Sequence, residues 1–229
     1  MKKSVKILSA VMAVVLVFTC GVGATLAYLN AKAEAPVVNT FCAKNLVEKP
    51  EDFQLWEHNV KYDEKTAKHV FTDDKAEVKG VNYERVTPGE ILPKDPFVRV
   101  KNVENAYLFI EVKNDLAPGM TYKMDSTWEA VKENGTQLVG ENGGLIFVKK
   151  VSDPTMANDY VLAAREANVE YDILNPEHIE VANNFDPANA TPEKQVALTV
   201  WGYLTQAANF DDYNASWAAS PFYKAPATK

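Results

Sequence analysis

Three histidines, His58, His69 and His178, are the residues best suited to metal or acid–base chemistry. None sits in an H-E-x-x-H pattern, and no two are four apart on a common helical face. His58 and His69 lie in one charged stretch and would meet across a hairpin. A closed zinc site takes four ligands, so two exposed loop histidines is the plainer reading. Cys42 with a histidine has the elements of a thiol protease pair, but nothing local supports one. Asp211-Asp212 falls short of the ligand count of a calcium loop and fits better as favourable charge at a helix N-terminus. There is no G-x-S-x-G elbow and no phosphate loop. Glu141-Asn142-Gly143-Gly144 reads as a hairpin turn, not a nucleotide cradle. Sequons at Asn134, Asn189 and Asn214 read as incidental. The residues therefore predict no catalytic group, no metal site and no cofactor.

The elements that would position any site begin with residues 1–27. Lys2, Lys3 and Lys6 make a basic start, Ile7 to Phe18 is apolar save for Ser9, and small residues follow from Thr19 to Ala27. That is the layout of a secretory signal peptide. A spanning helix needs roughly 20 apolar residues, and this run stops short at Gly21 and Gly23. Thr25-Leu26-Ala27 places small residues for a cut between Ala27 and Tyr28. An uncleaved anchor, or a lipoprotein acylated at Cys20, are the alternatives. All three take the chain out of the cytoplasm, to the cell surface or beyond.

Removing 1–27 leaves 202 residues with 21 basic and 31 acidic side chains, a net charge of −10. So acidic a chain repels phosphate backbones, which argues against nucleic acid as a partner. Cys42 is then the only cysteine, so no internal disulfide framework exists and the fold must live on its core. At this size a chain buries about 70% of its unfolded surface, which suffices. Cys42 reads as a small buried apolar residue, with intermolecular pairing as the alternative.

Residues 28–45 form an arm with Pro36 and a β-rich centre, Val37-Val38-Asn39-Thr40-Phe41. Alternation is clear in Phe97–Asn102 and again in Ala106–Lys113, where Leu108, Ile110 and Val112 oppose Tyr107, Phe109 and Glu111. Joined by a short polar turn, these two runs predict a hairpin. Short strands are expected at Val81–Val86, from Trp128, at Leu145–Val151, Val169–Leu174 and His178–Ala182. Met156–Asn168 fits a helix, with Met156, Tyr160, Ala163, Ala164 and Ala167 roughly on one face, and a strand only by the resemblance described below, so the two stay open. Gln195–Gln206 is apolar on both faces, the pattern of a central strand. Asp211–Ala219 reads as a short helix with Tyr213 and Trp217 four apart. Roughly nine short strands rich in turn residues argue for an all-β, antiparallel sandwich with short helices over 46–229.

Four segments taken in order resemble the TasA/camelysin family of Gram-positive bacteria. They are Gly23–Leu29 with Val38–Phe41; Thr87-Pro88-Gly89 with Lys94-Asp95-Pro96 and the strand ending at Asn102; Ala106–Val112; and Leu204–Phe210 with Trp217 downstream. Residues 48–81 and 120–195 match only loosely, and Cys42-Ala43-Lys44 stands where many relatives have a glycine. The resemblance implies a jelly-roll-like sandwich, a leader cut by a dedicated SipW-type signal peptidase and a secreted subunit of biofilm matrix fibres. It also implies an arm that donates a strand, here Val37, Val38, Asn39, Thr40 and Phe41, to the next subunit of a head-to-tail homopolymer. Minor fibre or anchor subunits would be further partners. Camelysin-type members have been classed as metallopeptidases, for which this sequence offers no zinc motif. The competing expectations are such a peptidase, using His58, His69 or His178, and a monomeric surface adhesin whose arm folds back on its own sheet.

Overall fold

A computed structural model describes residues 30–32, 46–191, 194 and 196–225. In chain order the strands are β1 (Asn30–Lys32), β2 (Phe53–His58), β3 (Val60–Asp63), β4 (Lys68–Phe71), β5 (Glu77–Val78) and β6 (Ile91–Pro93). There follow β7 (Phe97–Val100), β8 (Ala106–Asp115), β9 (Met120–Met124), β10 (Trp128–Ala130), β11 (Lys132–Glu133) and β12 (Thr136–Gln137). The last are β13 (Leu145–Lys149), β14 (Val161–Leu162), β15 (Val169–Asp172), β16 (Leu174–Val181) and β17 (Ala197–Gln206), before the helix α1 (Tyr213–Ala218).

The alternation in β8 organises the molecule. Every residue from Ala106 to Val112 is buried, so this strand needs neighbours on both edges and cover on both faces. β17 runs antiparallel along its whole length on one edge, and β13 and β14 share the other. The main sheet thus reads β1-β17-β8-β13-β10. Leu108, Ile110 and Val112 face a core completed by Phe53, Val98 and Val100 of one small sheet and by Leu92, Leu174, Ile179 and Val181 of another. Those two sheets, β15-β7-β2-β5 and β6-β16-β9, form the second layer. All strand pairings among the described residues are antiparallel, and the architecture is an all-β sandwich with little helix.

Tyr107 and Phe109 point to the opposite face, into a second core with Ile146, Val148, Tyr203 and Trp217. α1 lies over this face. Its Asp212 cap accepts from the Ala215 amide at 2.8 Å, and Trp217 meets Phe109 and Tyr203 at ring separations of 4.8 and 5.6 Å. An N-cap is worth about 1 kcal/mol. Asp212→Ala is therefore expected to lower unfolding free energy by about that amount, read from the urea midpoint at constant slope.

The expected hairpin of Phe97–Asn102 with Ala106–Lys113 does not form. β7 pairs with β2 and β15, while β8 belongs to the other sheet. The two runs face each other across the core instead of bonding edge to edge. Between them Asn102 and Asn105 take positive φ, 54° and 53°, a conformation asparagine tolerates. Their amides donate to the carbonyls of Arg165 and Leu162, 2.8 and 3.0 Å away, so the linker is tied to other segments as it crosses layers. The strand expected at Val81–Val86 is also absent. Tyr83 and Val86 pack on the core from irregular chain, the Tyr83 hydroxyl donates to the Pro93 carbonyl, and Arg85 at φ 58° breaks any extended run. Met156–Asn168 is a turn-rich loop holding only β14.

That loop is anchored by Asp153, whose carboxylate accepts from the Thr155 hydroxyl at 2.6 Å and amide at 2.9 Å and pairs with Arg165. The Thr155 bonds, then Arg165, pull its pKa down to about 2. A folded value below the ordinary value of about 3.9 means stability that is present above the unfolded pKa and lost as pH falls through the folded one. Asp153→Asn should thus lower the urea midpoint at pH 7, and the difference from the parent should shrink toward pH 2. A gap unchanged between the two pH values would contradict this.

Candidate functional site at the edge of the main sheet

β17 is bonded to β8 over all ten residues, Ala197 opposite Asp115 through Gln206 opposite Ala106. On its other side it meets β1 over only three, Asn30, Ala31 and Lys32 opposite Thr205, Leu204 and Tyr203. Among the described residues no strand covers that side from Ala197 to Gly202. Gly202–Gln206 are buried, whereas Ala197, Thr199, Val200 and Trp201 are half-buried. An uncovered edge presents a row of backbone donors and acceptors to any extended segment that can reach it. Gln195–Gln206 reads as a central strand, and β17 is interior, paired with β8 on one side and, among the described residues, with three arm residues on the other. The donor residues Val37, Val38, Asn39, Thr40 and Phe41 lie outside the described residues, as do Cys42 and the Ala27–Tyr28 cleavage position.

Behind this edge a carboxylate is fully enclosed. Glu111 has no exposed surface and sits on the α1 face of β8, opposite Trp201. Its Oε1 accepts from the amides of Asn142 and Gly144 at 2.9 and 2.8 Å. Its Oε2 accepts from Asn142 Nδ2 at 2.9 Å and from the Tyr203 hydroxyl at 2.8 Å. Burial, then the Glu111 carboxylate, raises the Tyr203 pKa, so the phenol keeps the proton it donates. The turn at 141–144 can come this close only because glycine flanks it. A Cβ on Gly144 would lie 2.7 Å from the Val112 carbonyl carbon, and one on Gly140 would overlap the Glu111 carboxylate. The turn read from the sequence is present; that it grips a carboxylate was missed. The signal was a glutamate on the face that otherwise carries Tyr107 and Phe109.

The histidines do not converge. His58 ends β2, and its Nδ1 lies 2.6 Å from Asp95, with the ring against Phe97 and Phe71. His69 is in β4, and its Nδ1 donates to Glu90 at 2.6 Å. Burial acts to raise the Glu90 pKa, but hydrogen bonds from His69 and Thr87 together outweigh it and hold it below its ordinary value. His178 Nε2 is 3.5 Å from Glu180. Thus β3 and β4 form the hairpin, but each ring serves its own carboxylate, and His69 is buried where a loop residue was expected. Its Nε2 is buried too and has no hydrogen-bond partner among the described residues. Among the described residues no group of three His, Cys, Asp or Glu could hold a metal ion. The Asp211-Asp212 pair, expected as favourable charge at a helix N-terminus, does stand before α1, where Asp212 serves as its cap. No helix of the described residues is long and apolar enough to cross a membrane. Compared with known proteins, the chain finds no matching family model, no matching curated protein and no matching solved structure.

Proposed function

We propose that this chain is a secreted structural subunit of the cell surface or extracellular matrix. It assembles head to tail when the arm, Tyr28–Asn45, of one copy pairs along β17 of the next. The observation that carries the reading is the mismatch at β17, a ten-residue strand whose outer side, among the described residues, is covered over three residues. An added strand completes the ladder through its main chain, and alternate side chains fill the adjoining surface. Because donor and acceptor are different surfaces, the contact does not close and gives a filament. The resemblance of Gly23–Leu29, Val38–Phe41, Ala106–Val112 and Leu204–Phe210 to the TasA/camelysin family supports the same reading. It brings a SipW-type signal peptidase and minor fibre or anchor subunits as partners.

One observation favours the monomeric adhesin as the second reading: β1 pairs with β17 of its own chain. A camelysin-like peptidase would need to free His58, His69 or His178 from Asp95, Glu90 and Glu180. Negative-stain microscopy of protein starting at Tyr28, beside protein starting at Leu46, tests the proposal. Filaments from the first and none from the second are expected. Monodisperse particles from both, with a mass by light scattering that does not depend on concentration, would overturn the fibre reading in favour of the adhesin.

A further inference from the structure

Away from the β17 edge, one lysine is buried in unusual company. Lys149 ends β13, and its side chain is 8% exposed. Nζ lies 5.0 Å from the ring of Trp128 and 5.2 Å from that of Tyr171, donates to the Thr127 hydroxyl, and is 3.8 Å from Asp125 Oδ1. Asp125 follows β9 and is fixed by its amide bond to the Ile173 carbonyl at 2.9 Å. Its other oxygen, Oδ2, accepts from Nδ2 of Asn175 in β16 at 3.2 Å. One carboxylate therefore touches an amine from the main sheet and a carboxamide from the second layer.

The electrostatics suit a reaction between them. Burial lowers the Lys149 pKa against the opposing charges of Asp125 and Asp172, which makes the neutral, nucleophilic amine accessible. Burial acts to raise the Asp125 pKa, but bonds from Thr127 and Asn175 and the charge of Lys149 outweigh it and hold it low. Asp125 is thus an ionised proton acceptor and a poor electrophile, which leaves the Asn175 carboxamide as the carbon to attack.

We propose that Lys149 and Asn175 form an intramolecular isopeptide bond, with Asp125 as the proton carrier. Nζ of Lys149 bonds to Cγ of Asn175 and the Cγ–Nδ2 bond breaks. Asp125 takes a proton from the attacking amine through Oδ1 and returns one through Oδ2 to the departing nitrogen, which leaves as ammonia. An amine and a primary amide become a secondary amide and ammonia, with no oxidant, reductant or cofactor. The product links β13 to β16 and so ties the two layers covalently.

The test is mass spectrometry of the full chain, intact and after trypsin. The expected result is a mass lower by one ammonia, with one branched peptide joining Lys149 to Asn175 and no tryptic cut after Lys149. Asn175 is exposed, so Asn175→Ala leaves the core intact; it and Asp125→Ala, each confirmed folded by circular dichroism, should show the full sequence mass. An unlinked Lys149 peptide from folded parent protein would overturn the proposal. So would ammonia loss that survives Asn175→Ala, or loss of water with Lys149 joined to Asp125.

Discussion

Glu111→Ala is expected to lower the unfolding free energy by about 4 kcal/mol, the largest single loss outside the apolar core. The carboxylate receives four hydrogen bonds in a site with no water access. Bonds to a charged group are worth about 1.5–3 kcal/mol each before desolvation is subtracted, and donors left unpaired in a dry site carry their own penalty. Asn142 and Tyr203 would keep one bond to each other, at 3.0 Å, so the loss is smaller than the sum. Domains are stable by about 5–15 kcal/mol, which makes this variant marginal at 37 °C. Tyr203→Phe removes one donor and should cost about 1–2 kcal/mol. Urea melts of the two variants check the ranking; an effect of Glu111→Ala within about 1 kcal/mol of zero would show that the cage is not what holds the 141–144 turn to the sheet.

The second large effect concerns assembly and leaves the fold alone. Val38→Pro in the arm should abolish filaments while the urea midpoint of the monomer stays put. Proline has no amide hydrogen to give the ladder, and its ring disturbs a paired strand. A penalty of about 3 kcal/mol per subunit contact raises the concentration needed for growth by roughly 100-fold. Sedimentation across a concentration series reads this directly. Filaments forming at the parent concentration would mean that Val38 lies outside the paired segment.

Much of this fold is legible in the sequence wherever the determining pattern is local. The alternation of Tyr107, Phe109 and Glu111 against Leu108, Ile110 and Val112 places each residue on its observed face. The acidic pair before Tyr213 does mark a helix N-terminus, with Asp212 as the cap. What failed depends on distant partners. Two alternating runs with a short polar link look the same whether they will bond edge to edge or face each other across a core; Arg165 and Leu162, about sixty residues further on, decide between these by receiving the linker amides. Glu111 reads as the solvent side of an alternating strand until the glycine-rich turn around Asn142, 31 residues later, is known to close over it. Likewise His58 finds Asp95 across 37 residues and His69 finds Glu90 across 21, so no local spacing announced either pair. Lys149, Asp125 and Asn175 come from three strand ends and carried no sequence signal at all.

The most direct test of strand donation asks whose arm lies on whose β17. Asn30 and Thr205 are opposed in the β1–β17 register, and opposed residues of an antiparallel pair have Cα atoms about 4.5–5.5 Å apart, within disulfide range. In protein starting at Tyr28 and carrying Cys42→Ser, one preparation bears Asn30→Cys and a second bears Thr205→Cys. Mixed and oxidised, they should yield a covalent heterodimer, and a chain carrying both substitutions should yield a disulfide-linked ladder. No heterodimer from the mixture, with only internally closed monomer from the double variant, would place each arm on its own sheet and contradict the account.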